Sequence, residues 1–139
     1  MIGLLIVAHA GLARELLTAA EMIGGEIELA EAIGIGPTDK VDAIREAIVG
    51  AIDRVGGEGV IIMTDMFGGT PSNMGLSFLD ENRVEVLTGV NLSMVIKFAA
   101  DRNKLGVAEL AEALKKCARE SISVAGDYLK LSKTVKAEG

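Results

Sequence analysis

The sequence predicts an α/β fold: a doubly wound, mostly parallel sheet with strands in the order 2-1-3-4 and helices on both faces. Residues 2–7 and 60–63 are apolar throughout, as in strands that are buried on both faces. Residues 27–33 and 84–87 mix charged and apolar side chains, which suits strands nearer an edge. Helical segments alternate with these strands, and that alternation is typical of a parallel sheet. The two apolar strands, first and third in the chain, therefore belong in the middle.

The first half of the chain predicts two helices. Residues 11–23 form the first, which the pair Gly24-Gly25 ends. After the turn at Gly36-Pro37, Thr38 is expected to cap the second helix and Asp39 to suit its positive end. Apolar residues at three- and four-residue steps define the inward stripes. They are Leu12, Leu16, Ala19, Ala20 and Ile23 in the first helix, and Val41, Ile44, Ile48, Ala51, Ile52 and Val55 in the second.

The second half predicts three more helices. Thr70 is expected to cap a helix that has Pro71 at its first position and reaches about Leu79. A short helix over 92–100 follows the fourth strand, and a longer one spans 107–118. The inward positions of the last helix are Leu110, Ala111, Leu114 and Ala118.

The C-terminal part leaves two readings open. Ser121–Ala125 is either a fifth strand at the sheet edge or a continuation of the preceding helix. We assign residues 1–131 to a single domain and expect residues 132–139 to be a frayed tail.

Composition limits the class of protein. Half of the 139 residues are apolar, so a full core can form without metal or disulfides, and the lone Cys117 excludes an intramolecular disulfide. The net charge is −6 and no basic stripe with aromatics appears, so we expect no nucleic-acid partner. With no signal-like segment and no apolar run near the roughly 18 residues that span a bilayer, we expect a cytoplasmic protein.

The strongest functional candidates follow the two central strands. His9, the only histidine, ends the first strand, and Asp65 ends the third. In doubly wound sheets ligands bind outside the carboxyl ends of the strands, at the switch point between these two. Adjacent strands lie about 4.8 Å apart, so the two side chains can meet. Asp65 could then fix the imidazole tautomer and leave the other ring nitrogen as a nucleophile.

A glycine-containing loop follows Asp65. Its glycines allow backbone N–H groups to converge on one centre, and a helix N-terminus follows, an arrangement that suits a phosphoryl group. The predicted phosphoryl-binding residues are Phe67, Gly68, Gly69, Thr70 and Ser72. Taken singly, Asp65 could only cap a turn and the loop could be an ordinary helix entry. Their conjunction with His9 favours a functional site.

Other chemistries fit poorly. With one histidine and one cysteine the chain lacks zinc ligands, and no metal or cofactor site is predicted. The segment Gly34-Ile35-Gly36-Pro37 is not a dinucleotide fingerprint, because proline and no third glycine follow. A receiver domain of the same fold would have acidic residues near the end of the first strand, and none are there.

Three motifs carry a resemblance to a known family. They are Ile6-Val7-Ala8-His9-Ala10-Gly11, Thr64-Asp65-Met66-Phe67-Gly68-Gly69-Thr70-Pro71-Ser72-Asn73 and Thr88-Gly89-Val90-Asn91-Leu92. Over nearly its whole length the chain resembles the IIA component of the mannose class of the bacterial sugar phosphotransferase system (PTS). The second motif is specific to that class, because the related dihydroxyacetone-kinase subunit shares the histidine strand but generally not this loop.

The resemblance implies a function. His9 would accept a phosphoryl group from the histidine-containing phosphocarrier protein HPr and pass it to a separate IIB component, with Asp65 holding the histidine. Phosphoenolpyruvate would be the ultimate donor, and contact with the membrane would be indirect, through IIC and IID components. The resemblance also implies a homodimer in which a C-terminal strand of each subunit would add to the other's sheet. Two departures are visible: Ala8 replaces a common Ser or Thr, and Ser93 replaces a frequent proline.

Two other functions stay open from the sequence. One is a regulatory module whose phosphorylation state controls a partner rather than feeding transport. The other is a flavodoxin-like domain that binds a small anion or nucleotide, with His9 only a ligand contact. The sequence does not name the sugar.

Overall fold

A computed structural model describes residues 1–66 and 68–130. Within these residues four strands form one sheet: β1 (Gly3–His9), β2 (Ala30–Ile35), β3 (Val60–Thr64) and β4 (Val84–Leu87). The strand order is β2-β1-β3-β4 and every neighbouring pair is parallel. The predicted fold class and strand order are therefore confirmed.

The register brings the ends of β1 and β3 to the same edge. His9 lies opposite Ile35 of β2, and Val7 lies opposite Thr64 of β3. His9 is the last residue of β1 and Asp65 is the residue after β3, so the two lie side by side at this edge. This edge is where the carboxyl ends of all the parallel strands meet.

Five helices in the described part of the chain cover the two faces: α1 (Leu12–Gly24), α2 (Val41–Val55), α3 (Thr70–Leu76), α4 (Leu92–Asp101) and α5 (Val107–Glu120). One hydrophobic cluster joins α1, α4 and α5 to side chains such as Leu4, Ile6 and Met63. A second cluster joins α2 and α3 to the opposite side chains, among them Leu5 and Ile62. None of these helices is both long enough and apolar enough to cross a membrane.

The predicted stripe of α1 was wrong at its two ends, whereas that of α5 was right. The residues that α1 buries are Ala13, Leu17 and Ala20, while Leu12 is 44% and Ile23 63% exposed. Because α1 is rich in Ala and Leu, two neighbouring stripes look equally apolar in sequence.

The predicted caps of α2 and α3 were also wrong. Lys40, not Thr38, precedes α2, and the Asp39 carboxylate instead accepts the Gly36 N–H at 2.7 Å. Thr70 is the first residue of α3 rather than its cap. The helix ends at Leu76, three residues earlier than expected, and a turn follows it, with Phe78 N–H donating to Gly75 O at 2.9 Å.

The C-terminal segment follows neither of the two readings. Helix α5 ends at Glu120, and residues 122–124 form neither helix nor strand. Residues 125–130 are helical, so Ser121–Ala125 adds no strand to the sheet of the described chain. The expected frayed tail, residues 132–139, lies outside the described residues.

Candidate functional site

The candidate site is built on a direct contact between His9 and Asp65. Nδ1 of His9 lies 2.6 Å from Oδ2 of Asp65, and the backbone N–H of His9 donates to the same oxygen at 2.9 Å. The His9 side chain is 49% exposed and the Asp65 side chain 13%. The carboxylate is therefore mostly enclosed, while the imidazole beside it is open to a partner.

Asp65 is held as a carboxylate. Burial raises its pKa, but this is outweighed by hydrogen bonds from the backbone and side chain of His9 and from the Met66 N–H, so the pKa lies below its usual value. The Met66 N–H donates to Oδ1 at 2.9 Å. Because an ionised carboxylate only accepts, the short contact assigns a proton to Nδ1, and in the neutral imidazole the free lone pair is then on Nε2.

The loop after Asp65 approaches the ring at Gly69. A Cβ atom added to Gly69 would lie 3.1 Å from Cε1 of His9 and 3.6 Å from Cγ of Met66. Cε1 is the carbon between the two ring nitrogens, so a side chain at position 69 would crowd the imidazole. Glycine at this position therefore lets the loop backbone come close to the ring.

The neighbouring loop residues lie differently. Gly68 has a left-handed φ of +89°, and its N–H donates to the Ser72 hydroxyl at 3.4 Å. Ser72 is fully buried, whereas Thr70 is exposed at the start of α3. The structure thus brings Gly69 to His9 and ties Gly68 to Ser72. Phe67, the remaining predicted loop residue, lies outside the described residues.

The third sequence motif, residues 88–92, is hydrogen-bonded to the end of β3 next to the site. The Val90 N–H donates to the carbonyl of Thr64, the residue before Asp65, at 3.0 Å. Asn91 caps α4 by accepting from the Met94 N–H at 3.0 Å, and its amide donates to the Ala118 carbonyl at 3.1 Å. This turn therefore links the end of β3 to α4 and α5.

Neither departure from the family pattern removes a group from the site. Ala8 is fully buried in a hydrophobic cluster, so a hydroxyl at this position would lie in the core rather than beside the imidazole. Ser93 occupies the first turn of α4, where proline and serine are both tolerated. In the described part of the chain, no group of three or more His, Cys, Asp or Glu side chains could hold a metal ion.

Sequence reasoning missed Ala10, the residue after His9. Its φ is +52°, which is uncommon for a residue with a side chain, and its N–H donates to the Ile35 carbonyl at 2.9 Å. A sharp turn was foreseeable from the small residues after His9. The left-handed conformation was not, because Ala gives no signal for it.

The site thus combines a half-exposed histidine, an aspartate and a glycine-containing loop at the switch point of the sheet. Comparison with known proteins identifies the family that has this fold. The family model described as "PTS system fructose IIA component" (EIIA-man) matches residues 3–115. The chain belongs to this family, the mannose-class IIA components of the sugar phosphotransferase system. It is thus a phosphotransferase-system component of sugar phosphotransfer.

Individual relatives agree with the family. The sorbose-specific EIIA component of Lacticaseibacillus casei is 30% identical over 118 residues, which cover 84% of this chain and 86% of the relative. The fructose-specific EIIA component of Bacillus subtilis is 29% identical over 136 residues, 96% of this chain and 93% of the relative. Their names point to different sugars, so they do not agree on a substrate.

A solved structure shows the same fold. The crystal structure of an EIIA component from Streptococcus agalactiae superposes with a TM-score of 0.84 at 25% identity, covering 91% of this chain and 99% of that one. The sheet order and the helices around it are therefore those of a IIA component.

Proposed function

We propose that this chain carries a phosphoryl group on Nε2 of His9, accepting it from phosphorylated HPr and passing it to a IIB component for sugar uptake. The observation that supports this most is the 2.6 Å contact of Nδ1 with Asp65. It occupies one ring nitrogen and leaves the other, on a half-exposed ring, available to a partner protein. A cytoplasmic location stays a prediction that follows from these partners.

The transfer needs no group other than the two histidines and their neighbours. The Nε2 lone pair attacks the phosphorus of the donor's phosphohistidine, and a P–N bond to His9 forms while the P–N bond to the donor breaks. The electron pair of the broken bond returns to the donor imidazole. Because Nδ1 keeps its proton, the ring of His9 gains positive charge, which the Asp65 carboxylate stabilises. In-line positioning is the main requirement of such a loose transition state.

The loop supplies the polar surroundings of the phosphoryl group. Since the Gly68 N–H already donates to Ser72, the backbone of Gly69 and Thr70 is best placed to face the phosphoryl oxygens. Ser72 then acts by holding the loop, and Phe67 stays a prediction from the sequence. Backbone dipoles bind an anion without trapping it, which suits a group that must leave again.

We also propose that the chain forms a homodimer. Four large apolar side chains of the C-terminal segment are more than 60% exposed in one copy: Ile122, Val124, Tyr128 and Leu129. A second copy would cover these side chains. Monomeric proteins seldom leave a large apolar patch exposed to water. Light scattering at micromolar concentration measures the mass directly, and a monomer there would contradict the proposal.

The regulatory alternative shares the phosphorylation and differs in its output. The anion-binding alternative does not share it. Intact mass after incubation with phosphoenolpyruvate, enzyme I and HPr separates the anion-binding alternative from the other two functions. Only a chain that is phosphorylated gains the mass of one HPO₃ group, and only when HPr is present. Adding a IIB component should then discharge the carrier, and a phosphorylated chain that no IIB component discharges would favour regulation.

A further inference from the structure

The turn that follows His9 rests directly on β2. Ala10 adopts a φ of +52°, and its N–H donates to the Ile35 carbonyl at 2.9 Å. Its own carbonyl lies over Gly34, so close that a Cβ atom built on Gly34 would be nearer than 3.0 Å to the Ala10 oxygen. Among the described residues, the Ala10 carbonyl is the one group within 4 Å of that Cβ position.

We propose that Gly34 is a positioning residue for His9. The absence of a side chain at position 34 lets the Ala10 carbonyl, and with it the Ala10–Gly11 peptide, lie against β2, while the Ala10 N–H bonded to Ile35 holds the His9–Ala10 peptide. Gly34 touches neither the ring nor a phosphoryl group, and it acts through the backbone. The expected effect of Gly34 on phosphoryl transfer rests on the function proposed above for His9.

The geometry at Asp65 makes the position of the His9 backbone important. One oxygen, Oδ2, accepts both the backbone N–H of His9 at 2.9 Å and Nδ1 at 2.6 Å. Both bonds therefore depend on where the backbone of His9 lies. A Cβ atom at position 34 would push the Ala10 carbonyl away from β2, and the His9 backbone would move with it. Displacements of about 1 Å at a reacting group can cost on the order of 10²-fold in rate.

A matched control lies at the opposite edge of the sheet. Gly3, at the start of β1, also has a backbone carbonyl nearer than 3.0 Å to its Cβ position, that of Val55. Gly3→Ala therefore also introduces a methyl group against a backbone carbonyl, with the Val55 Cβ atom close by as well, and does so far from the site. Gly11→Ala is a second control, because nothing lies within 4 Å of its Cβ position although it is two residues from His9.

The experiment reads the imidazole itself. His9 is the only histidine, so ¹⁵N NMR of histidine-labelled protein reports Nδ1 and Nε2 without assignment work. We expect Gly34→Ala to shift both ring nitrogens and to slow phosphoryl transfer from HPr by about 10- to 100-fold. Gly3→Ala should lower the melting temperature but keep the native ring shifts and the transfer rate per folded molecule. Gly11→Ala should keep the native ring shifts and the transfer rate per folded molecule, although Gly11 precedes α1 as its N-cap.

A double variant keeps the test decisive if Gly34→Ala folds poorly. Gly34→Ala combined with Ala10→Gly gives residue 10 the freedom to turn its carbonyl aside at low cost. This variant should regain folding and at least part of the native ring shifts. Native ring shifts in Gly34→Ala, or a double variant no better than the single one, would overturn the inference. If the wild-type chain takes up no phosphoryl group, the proposed function fails, whereas the ring shifts still test the role of Gly34.

Discussion

The two edges of the sheet hold their nitrogen-containing side chains, Arg102 and His9, in opposite ways. At the edge where the strands begin, Arg102 is 5% exposed and donates from Nε and Nη2 to the Ile2 carbonyl, at 3.0 and 2.6 Å. Nη1 donates to the Glu28 carbonyl, and the guanidinium lies 4.8 Å from the centre of the Phe98 ring. Burial lowers the pKa of Arg102, with Glu28 opposing this effect, yet a guanidinium stays protonated in proteins.

At the edge where the strands end, His9 is half exposed and one ring nitrogen is bound by Asp65. Each nitrogen of the Arg102 guanidinium donates to a backbone carbonyl, so the group is closed to a partner. His9 is bound at Nδ1 and exposed at the other side of its ring. Arg102 thus joins structural elements, whereas His9 is held in place for chemistry. Mutations at the two edges should accordingly affect different quantities.

The largest effect is expected from His9→Ala, which should abolish phosphoryl uptake because the accepting nitrogen is gone. The free energy of unfolding should change by less than about 1 kcal/mol, since a partly exposed pair contributes little. Intact mass after incubation with phosphorylated HPr, with a thermal melt alongside, checks both. Retained acid-labile phosphorylation would place the phosphoryl group on another residue.

Asp65→Asn should slow transfer by about 10²-fold, the low end for acid–base assistance. The amide carries no charge to stabilise the imidazolium and can present its NH₂ group to Nδ1 instead. In a serine-type triad the corresponding change costs about 10⁴, and a more exposed site should lose less. Rapid-quench transfer from HPr under matched conditions measures it, and equal rates would reduce Asp65 to a turn residue.

Arg102→Ala should have the converse effect. The change leaves the Ile2 and Glu28 carbonyls without their donor and removes packing from Phe98, which should lower the free energy of unfolding by about 2–4 kcal/mol. Transfer per folded molecule should stay at the wild-type rate. Denaturant unfolding measures the loss, and Arg102→Lys is the control that keeps the charge without the two-carbonyl geometry. Slower transfer by fully folded Arg102→Ala would show that the two edges are coupled.

The sequence predicted the sheet order because the apolar strands β1 and β3 differ so clearly from the mixed β2 and β4. It also predicted that His9 and Asp65 would lie together, since parallel strands end at one edge. It failed where local alternatives have similar energies: the stripe of α1, the caps at Thr38 and Thr70, and the left-handed Ala10. Such choices depend on contacts between distant residues, as between Ala10 and Gly34, which no local pattern contains.

The smallest effect concerns pH. Hydrogen bonds from His9 and Met66 outweigh burial and lower the pKa of Asp65 in the folded chain. An aspartate in the unfolded chain titrates at about pH 3.9, so the ionised carboxylate stabilises the fold above that pH. This stabilisation is lost as the pH falls through the lower pKa of the folded state. Asp65→Asn has no such titration.

The difference in unfolding free energy between the wild type and Asp65→Asn should therefore be constant between about pH 7 and pH 5 and shrink below about pH 4. Denaturant unfolding followed by circular dichroism at several pH values measures it. His9→Ala removes the side-chain bond but keeps the backbone N–H of residue 9 and that of Met66 as donors. Its acid dependence should accordingly lie between those of the wild type and Asp65→Asn. A difference that stays constant down to about pH 3 would mean that folding does not lower the pKa of Asp65, and that the hydrogen bonds from His9 and Met66 do not outweigh its burial.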